Sequence, residues 1–239
     1  MKTKTWIARQ KMWLFFFILF LMTGISLLLV RPVGVLITNV QHERAIEEYI
    51  EAVDKLSREE LEEIQNKAIA YNASYADNHP HVLTELTGQE KEEYTHLLCV
   101  PGTDVMGYVE IPSIDVRLPI YHFATQESFE IGCGHLEDTS LPVSGADFHT
   151  FLMAHRNMVT AVMFENLDKL DVGDTFSVTV LKETMTFEVD DIMVTVPEVS
   201  QEVYEKYSIE DGKDYCTLVT CTPYGKTTHR LLVRGLRIG

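Results

Sequence analysis

Polar and apolar residues are sharply separated over the first forty positions of the chain. Met12 to Val30 carries no charged side chain and is bounded by Lys11 and Arg31. A helix over this stretch would be roughly 28 Å long, close to the hydrocarbon thickness of a bilayer. The stretch is longer than the apolar core of a secretory signal, and no small-x-small cleavage pattern follows it. The pattern therefore predicts a transmembrane anchor, assigned to residues 12–37, rather than a cleaved signal peptide.

The charges that flank this stretch predict its orientation. Four cations lie within residues 1–11, and no acidic residue precedes Glu43. Positive charge concentrates on the cytoplasmic side of membrane helices, so the basic tail is predicted to be cytoplasmic and the rest of the chain extracellular. No second long apolar run occurs before Gly239. We expect a single-pass protein of the cell membrane.

The next segment has the periodicity of an amphipathic helix. Between Val40 and Tyr71, apolar residues recur mostly at steps of three and four among Glu, Lys and Gln. A wider step at Ser57, followed by Glu60, resembles a capping box and predicts a break there. From Asn72 to about Gly102 the periodicity is lost and turn-forming residues become frequent, which is typical of a connecting segment. Residues 38–104 are thus predicted to be a helical segment and a linker.

From residue 105 to residue 239 the chain consists of short runs of β-type composition. They are rich in Val, Ile, Thr, Tyr and Phe and are separated by Gly, Pro, Asn and Asp, which favours an all-β barrel or sandwich. The predicted strands are 105–111, 116–121, 150–154, 175–181, 186–196, 214–221 and 229–237. Lys182 to Thr184 is predicted to form a hairpin turn, and a short helical turn is expected near Val162 to Leu170.

Composition excludes several classes of function. The formal net charge is −16, and once the four N-terminal cations are set aside, 16 basic residues stand against 36 acidic ones. Nucleic-acid binding needs clustered cations and is not expected of this domain. The four cysteines form no CxxC pair and show none of the usual zinc-ligand spacings. We therefore expect neither a metal nor another cofactor.

Three chemically useful residues lie at the ends of predicted strands. Cys221 ends an apolar strand immediately before a turn, where a side chain is rigidly held yet accessible. His155 follows another apolar strand, and Arg230 opens the last one, nine residues after Cys221. Adjacent antiparallel strands would bring Cys221 and Arg230 to one end of the sheet. A thiol, an imidazole and a guanidinium would then converge.

Each of these residues also has a purely structural interpretation. A single Cys is commonly a small buried side chain, a single His a surface or satisfied core residue, and a single Arg a solvated charge. Rival bases are His122, His135, His149 and His229. The other cysteines are assigned no chemistry: Cys99 and Cys133 are predicted to be buried without forming a disulfide, and Cys216 to lie in a strand core.

Several motifs, in order along the chain, resemble the sortase family of cysteine transpeptidases. The strongest is Thr217 to Gly225 followed by Thr228 to Gly235, and its Cys-Thr-Pro-Tyr-Gly sequence is similar to class C, the pilin-type sortases. Further matching motifs lie at 107–112, 118–122, 134–142 and 154–156. The resemblance extends over about 105–239 and implies a mainly β protein, an eight-stranded barrel preceded by the amphipathic and transmembrane helices.

The resemblance implies three catalytic roles: nucleophile for Cys221, general acid/base for His155 and oxyanion stabiliser for Arg230. The residue types suit these roles, because a thiolate attacks, an imidazole titrates near neutrality and an arginine stays protonated as a donor. Backbone N–H groups around Thr220 and Thr222 are expected to contact the substrate. The implied reaction cleaves an LPxTG-like sorting signal between Thr and Gly through a thioester on Cys221 and passes the acyl group to an amine.

The implied partners are LPxTG-type surface proteins or pilin subunits, and an amine acceptor. That amine resembles a pilin lysine in polymerising enzymes and a cell-wall peptide in housekeeping ones. Three alternatives stay open: an accessory anchoring sortase, a cysteine protease that releases its product to water, and a scaffold on a degenerate barrel. The acidic segment 197–214 matches the family's substrate-recognition loop, with a plain solvated connection as the alternative.

Two features depart from class C. Class C sortases carry a lid before the barrel whose Asp-Pro-aromatic anchor covers the cysteine, whereas the corresponding place here reads Thr84 to Thr87. Their usual C-terminal membrane helix also has no counterpart in this sequence. Both departures weaken an assignment to pilin polymerisation rather than to anchoring. Without the lid anchor, we predict that Cys221 is accessible from solvent.

Overall fold

The computed structural model of the chain describes residues 2–78, 86–145, 147–197, 206–208, 210 and 212–239. Its helices are α1 (Lys2–Asp54), α2 (Arg58–Asn78), α3 (Gly88–Tyr94) and α4 (Gln126–Ile131). Its strands are β1 (Val105–Ile111), β2 (Val116–His122), β3 (Cys133–His135), β4 (Phe148–Met153), β5 (Thr175–Val180), β6 (Glu183–Thr195), β7 (Asp214–Thr222) and β8 (His229–Arg237). Short 3-10 turns cover Pro112–Ile114 and Leu167–Lys169.

Helix α1 joins the predicted anchor to the first part of the predicted amphipathic helix. It continues through Pro32 without ending. From Lys11 onward it is long and apolar enough to cross a membrane. Beyond Val40 only one face is apolar, and Ile46, Tyr49 and Val53 on that face are buried. The predicted anchor and the first surface that packs on the barrel therefore belong to one continuous helix.

The predicted break between the two helices is confirmed. The amide of Glu60 donates to Ser57 Oγ at 3.2 Å, and the Glu60 carboxylate accepts from the Ser57 amide at 2.8 Å. This reciprocal pair satisfies two N–H groups that the first turn of a helix leaves free. Helix α2 therefore starts in a new direction at Arg58.

The linker predicted over Asn72 to Gly102 is wrong for its described part. Helix α2 continues to Asn78, and α3 follows with Thr87 as its N-cap. The side-chain amide of Asn72 is fully buried and bonds both backbone groups of Leu141 at 2.8 Å. Tyr94 is equally buried and bonds His135 at 2.8 Å. The polar residues that looked like loop residues are satisfied by tertiary hydrogen bonds.

The eight strands close into a barrel in the order β1-β2-β3-β4-β7-β8-β6-β5. Strands β2 and β3 pair in parallel, as do β4 and β7, and the other pairs are antiparallel. The eight-stranded barrel implied by the family resemblance is therefore confirmed. In a closed barrel, successive residues of a strand alternate between the interior and the outer face.

The predicted strands agree with the observed ones to within three residues at each end, but β3 was not predicted. At three residues, β3 is too short to show an alternating pattern. The β5–β6 turn is formed by Leu181 and Lys182, since Val180 already pairs with Glu183; the predicted turn was one residue late. Leu181 has a φ of 52°, and its amide donates to the Tyr49 hydroxyl at 2.7 Å. This tertiary bond is invisible in the local sequence.

Two apolar clusters on opposite faces of β7 decide which of its side chains are accessible. Cys216 and Leu218 belong to the main core inside the barrel. Val219 belongs to a smaller cluster on the outer face, here called the outer cluster, formed by Phe151, Tyr207, Val219 and Leu232 with the partly buried Leu136, Met153 and Met193 packed against it. The alternation therefore directs residue 221 to the outer face.

Candidate active site

Cys221 and Arg230 are direct cross-strand partners in the β7–β8 pair. Opposite residues of an antiparallel pair share a face of the sheet, with Cβ atoms about 5 Å apart. Both side chains are partly exposed and follow the alternation that places Val219 and Leu232 in the outer cluster. The structure therefore brings the predicted thiol and guanidinium together on the outer face, at the end of β7.

His155 lies beside Cys221 on the neighbouring strand. Strands β4 and β7 run in parallel with Met153 opposite Val219. The pairing continues past the strand end, since the Ala154 amide donates to the Val219 carbonyl at 3.2 Å. His155 and Cys221 each lie two residues beyond the Met153–Val219 pair, so they are at the same level. The imidazole, thiol and guanidinium thus come from three adjacent strands at one level.

Helix α4, which the sequence did not predict, provides the surroundings of His155. The ring of Phe129 lies 5.3 Å from the imidazole, and the Gln126 side-chain nitrogen lies 3.3 Å from His155 Nε2. Burial lowers the pKa of His155 below its ordinary value, and the nearby carboxylate of Glu130 partly offsets this effect. Since desolvation disfavours the charged imidazolium, the neutral imidazole predominates at neutral pH.

Arg230 is bound to its own turn in this structure. Its Nη1 atom donates to the carbonyl of Thr227 at 3.1 Å and to that of His229 at 3.3 Å. Thr227 lies in the connection between β7 and β8, and His229 is the first residue of β8. The guanidinium, on the residue opposite Cys221 in the sheet, therefore has two backbone contacts that a negatively charged acceptor can replace.

Arg156 is a site residue that sequence reasoning did not identify. Only 5% of its side chain is exposed, and its Nη2 lies 2.5 Å from an Asp168 carboxylate oxygen. Its Nη1 donates to Thr222 Oγ1 at 2.8 Å and approaches the Cys221 carbonyl at 3.5 Å. A buried guanidinium next to His155 thus ties the backbone of the cysteine to the β4–β5 connection. The only signal in the sequence was its position directly after His155.

The hydroxyls of Thr220 and Thr222 are both used within the protein. Thr220 is fully buried, and its Oγ1 donates to the Ala154 carbonyl at 2.8 Å. Thr222 Oγ1 accepts the hydrogen bond from Arg156. Both side chains hold β7 against the chain that carries His155. A contact with substrate from this pair would therefore come from backbone N–H groups, as the sequence analysis expected.

The outer cluster forms an apolar surface beside the site, here called the apolar floor. Val219 and Leu232 are cross-strand partners two residues from Cys221 and Arg230 respectively. Tyr207, the buried part of the predicted recognition loop, packs onto this floor under Arg234, whose guanidinium carbon lies 5.3 Å from its ring centre. Most of that loop, residues 198–205 with 209 and 211, lies outside the described residues. Its described end is fixed to the barrel beside the site.

The other cysteines differ from Cys221 in environment. All four are free thiols. Cys133 and Cys216 are fully buried as predicted, and burial raises the pKa of both thiols. Cys99 is exposed, so the prediction that it is buried is wrong; its segment folds back at the surface after α3. Cys221 is the partly exposed thiol that has an imidazole and a guanidinium beside it.

The rival histidines are less suited to act as bases. Burial lowers the pKa of His135 to about 4 and that of His149 to about 3. His149 is enclosed by rings and lies 2.8 Å from Thr217 Oγ1. His122 contacts the Leu97 carbonyl at 2.7 Å, at the N-terminal helical layer. His229 is exposed, opposite Thr222 in the β7–β8 pair.

Comparison with known proteins accounts for this arrangement. The model of the sortase domain matches residues 109–238, which is more than half of the chain. The chain belongs to the sortase family. The crystal structure of sortase C1 from Streptococcus agalactiae superposes with a TM-score of 0.75 at 40% identity, covering 82% of this chain and 98% of that one. Sortase C of Streptococcus pneumoniae gives 0.71 at 40% identity, covering 82% and 97%.

A curated relative gives a more distant comparison. Sortase D of Bacillus subtilis is 26% identical over 135 residues, which are 55% of this chain and 63% of that protein. The aligned part is thus less than two thirds of that relative's length. The similarity to class C structures extends beyond the barrel, because at 82% of this chain it must include part of the helical layer.

Part of the region that corresponds to the lid of class C sortases lies outside the described residues. This part is residues 79–85, which include His79-Pro80-His81 and Thr84. The segments on either side do not cover the site: Tyr75 and Leu86 are buried in the main core with Tyr94. Deleting residues 72–95, as a test for a lid, would therefore remove core side chains and damage the barrel. The accessibility of Cys221 stays a prediction.

Proposed function

We propose that this sortase is a membrane-anchored cysteine transpeptidase that cleaves an LPxTG-like sorting signal between Thr and Gly and transfers the acyl group to an amine. The observation that carries the proposal is the alignment of His155, Cys221 and Arg230 on three adjacent strands. Membership of the sortase family gives this alignment its chemical meaning. The proposed topology has a cytoplasmic N-terminus and an extracellular barrel.

The proposed mechanism assigns one step to each residue. Neutral His155 takes the proton of the Cys221 thiol as its thiolate attacks the carbonyl carbon of the substrate Thr. The negative charge that develops on the carbonyl oxygen is stabilised by the Arg230 guanidinium and by backbone N–H groups near Thr220 and Thr222. The protonated imidazole then gives its proton to the leaving Gly amine, and a thioester remains.

Transfer reverses the roles of the same groups. An incoming amine attacks the thioester carbonyl, His155 accepts a proton from that amine, and the Cys221 sulfur leaves as the acyl group forms an amide. The lowered pKa of His155 is compatible with both steps, since the neutral imidazole is the form that starts each of them. No other reactant is needed.

The surroundings of the site are consistent with such a substrate. The apolar floor beside Cys221 fits an aliphatic side chain of the sorting signal, and the acidic segment 197–214 is proposed as the recognition loop. The strongly acidic domain suits a cationic acceptor such as a lysine amine. Similarity to class C structures at 40% identity favours a pilin lysine over a cell-wall peptide as acceptor.

The test is product identity in the presence of an amine. The full chain in detergent or nanodiscs is given an LPxTG peptide with and without an amine nucleophile, and both consumption and products are measured. A transpeptidase gives the amide of the added amine, whereas a cysteine protease gives the free acid under both conditions. Cys221→Ala should form no thioester, while Cys99→Ser, which removes another accessible thiol, should behave as the unmodified chain. Turnover by Cys221→Ala would reject the proposal.

A further inference from the structure

The catalytic end of the barrel lies against α1 at the point where the anchor helix leaves its uncharged stretch. A Cβ atom placed on Gly34 would lie 2.8 Å from Thr160 Cγ2, so the β4–β5 connection touches the helix backbone. Arg31 Nη2 donates to both carboxylate oxygens of Glu165 at 2.7 and 2.8 Å. The Tyr224 hydroxyl interacts with the same guanidinium. Tyr224 follows Cys221 by three residues.

Further contacts with α1 fix the orientation of the barrel relative to the helix. At the end of the barrel opposite the catalytic one, Lys182 in the β5–β6 turn pairs with Asp54 of α1 at 3.1 Å. Arg117 pairs with Glu43 between these two points. From Arg31 to Asp54 the helix rises about 35 Å, somewhat more than the roughly 30 Å that the nine residues of β8 span. The barrel therefore stands alongside its helix with the catalytic end toward the anchor.

On the side of α1 that faces away from the barrel, the residues that follow Arg31 in the sequence are still apolar. Val33, Leu36, Ile37 and Val40 are exposed at helical spacing, and charged residues begin only at Glu43. Met12 to Val30 spans about 28 Å and fills the hydrocarbon core of a bilayer, whose headgroup layer on each side is about 5–7 Å thick. Residues 31 to about 35, which include Arg31 and Gly34, are therefore expected at the level of the outer headgroups.

Loops at the same height as residues 31–34 present apolar side chains to this layer. Val159, next to Thr160, is 60% exposed, and Tyr224 is 55% exposed. An aromatic ring with a polar tip is typical of membrane–water interfaces. Val159 is joined to α1 through its neighbour Thr160, which contacts Gly34.

We propose that the catalytic end of the barrel is seated in the outer headgroup layer of the membrane that holds the anchor, with Val159 and Tyr224 in contact with lipid. This proposal rests on the proposed membrane anchorage. It places Cys221 close to the bilayer surface, so that a sorting signal presented near the membrane reaches the thiol without crossing the height of the barrel.

The test measures the depth of single probes in the full chain. An environment-sensitive fluorophore is attached to Val159→Cys in a Cys99→Ser, Cys221→Ala background, in phosphatidylcholine vesicles that contain a lipid with a nitroxide on its headgroup. The matched control is Ile238→Cys, which is 58% exposed and lies about 25 Å along β8 from the catalytic end. A third probe at Leu21→Cys, with a nitroxide on the acyl chain, reports insertion of the anchor.

We expect several-fold stronger headgroup quenching at position 159 than at position 238. Equal quenching at both, with Leu21 quenched from the acyl chain, would overturn the seating and leave the anchorage intact. A Leu21 probe that is not quenched would overturn the anchorage itself, and the seating with it.

The contact between α1 and the β4–β5 connection allows a second, independent test of the proposal. Gly34→Leu forces a side chain into Thr160 and should lower the quenching at position 159 toward the control value. Gly24→Leu is its matched control, because no atom lies within 4 Å of a Cβ placed there. Unchanged quenching in Gly34→Leu would contradict seating through this contact.

Discussion

Replacing Arg156 with methionine tests whether its guanidinium holds the cysteine strand in its reactive position. Methionine keeps much of the apolar volume and removes the contacts with Thr222, with the Cys221 carbonyl and with Asp168. Two of these partners are at the end of β7, and the third, Asp168, lies in the β4–β5 connection. The substitution therefore loosens the end of β7 without changing any group proposed to react.

The cost in stability follows from the exposure of each partner. The hydrogen bond to Thr222 at 2.8 Å comes from a charged donor, and such bonds contribute about 1.5–3 kcal/mol. Asp168 is half exposed, so its ion pair adds at most about 1 kcal/mol. Removing a buried cation also returns part of its desolvation cost. We expect a net loss of roughly 1–3 kcal/mol in the free energy of unfolding.

The effect on catalysis should exceed the effect on folding. A displacement of about 1 Å at a reacting group costs on the order of 10²-fold in rate, so kcat for Arg156→Met should fall by about that factor while KM changes little. Arg156→Lys should recover only part of this loss, because an ammonium cannot keep the fork of contacts with Thr222 and Asp168. Thr222→Val, which removes the hydroxyl partner alone, should show an intermediate kcat.

The assay combines single-turnover thioester formation with urea unfolding of the same full-length samples. Arg58→Met is the matched control, since that arginine is 87% exposed and pairs only with Glu62 among the described residues; both its kcat and its stability should stay near the unmodified values. If Arg156→Met unfolds more easily but keeps its kcat, the residue is structural only. The positioning role would then be abandoned.

Three further predictions test other parts of the account. Arg230→Lys should lose most activity although charge is kept, because an ammonium places its donors differently from a guanidinium; near-normal thioester formation would show that charge alone suffices. A thiol reagent should label Cys221 in the native full chain at a rate that rises with pH, as the thiolate fraction does, and Cys221→Ala should leave Cys99 as the labelled residue; resistance of Cys221 in the native chain would indicate occlusion. Burial lowers the pKa of His149 and His135 in the folded chain, so the unfolded state binds protons first as the pH falls. The free energy of unfolding should therefore decrease below about pH 6.5, by roughly 2 kcal/mol for each residue at pH 5. Urea midpoints equal at pH 7 and pH 5 would contradict this.

Most of the strands could be predicted because their signals are local. Runs of β-type residues between turn residues identified β7 and β8, and the change from strand to turn made Cys221 a candidate. The pairing of Cys221 with Arg230 needed only the assumption that consecutive strands are neighbours. Placing His155 beside them required the parallel β4–β7 pair, which local patterns do not contain. Family resemblance supplied that step.

Hydrogen bonds between residues that are distant in sequence explain most of what local patterns did not predict. Asn72 and Tyr94 looked like linker residues because their partners lie across the chain, on Leu141 and His135. Arg156 could not be distinguished from a solvated arginine, since the type of a single residue does not indicate whether it is buried. The short elements β3, α3 and α4 have three, seven and six residues, fewer than a periodic pattern needs.

The distribution of the four thiols shows why a barrel can hold several cysteines and use one. Cys133 and Cys216 face inward, where burial raises the thiol pKa, so neither forms the thiolate that attacks or reaches a substrate. Cys99 is exposed, but partial burial of its sulfur and the nearby Asp104 carboxylate raise its pKa. Cys221 alone among the four has a guanidinium opposite it in the sheet and an imidazole at its level on the next strand. Strand parity decides which thiol of β7 is accessible: Cys216 faces the barrel interior, whereas Cys221, five residues further along the strand, faces outward opposite Arg230.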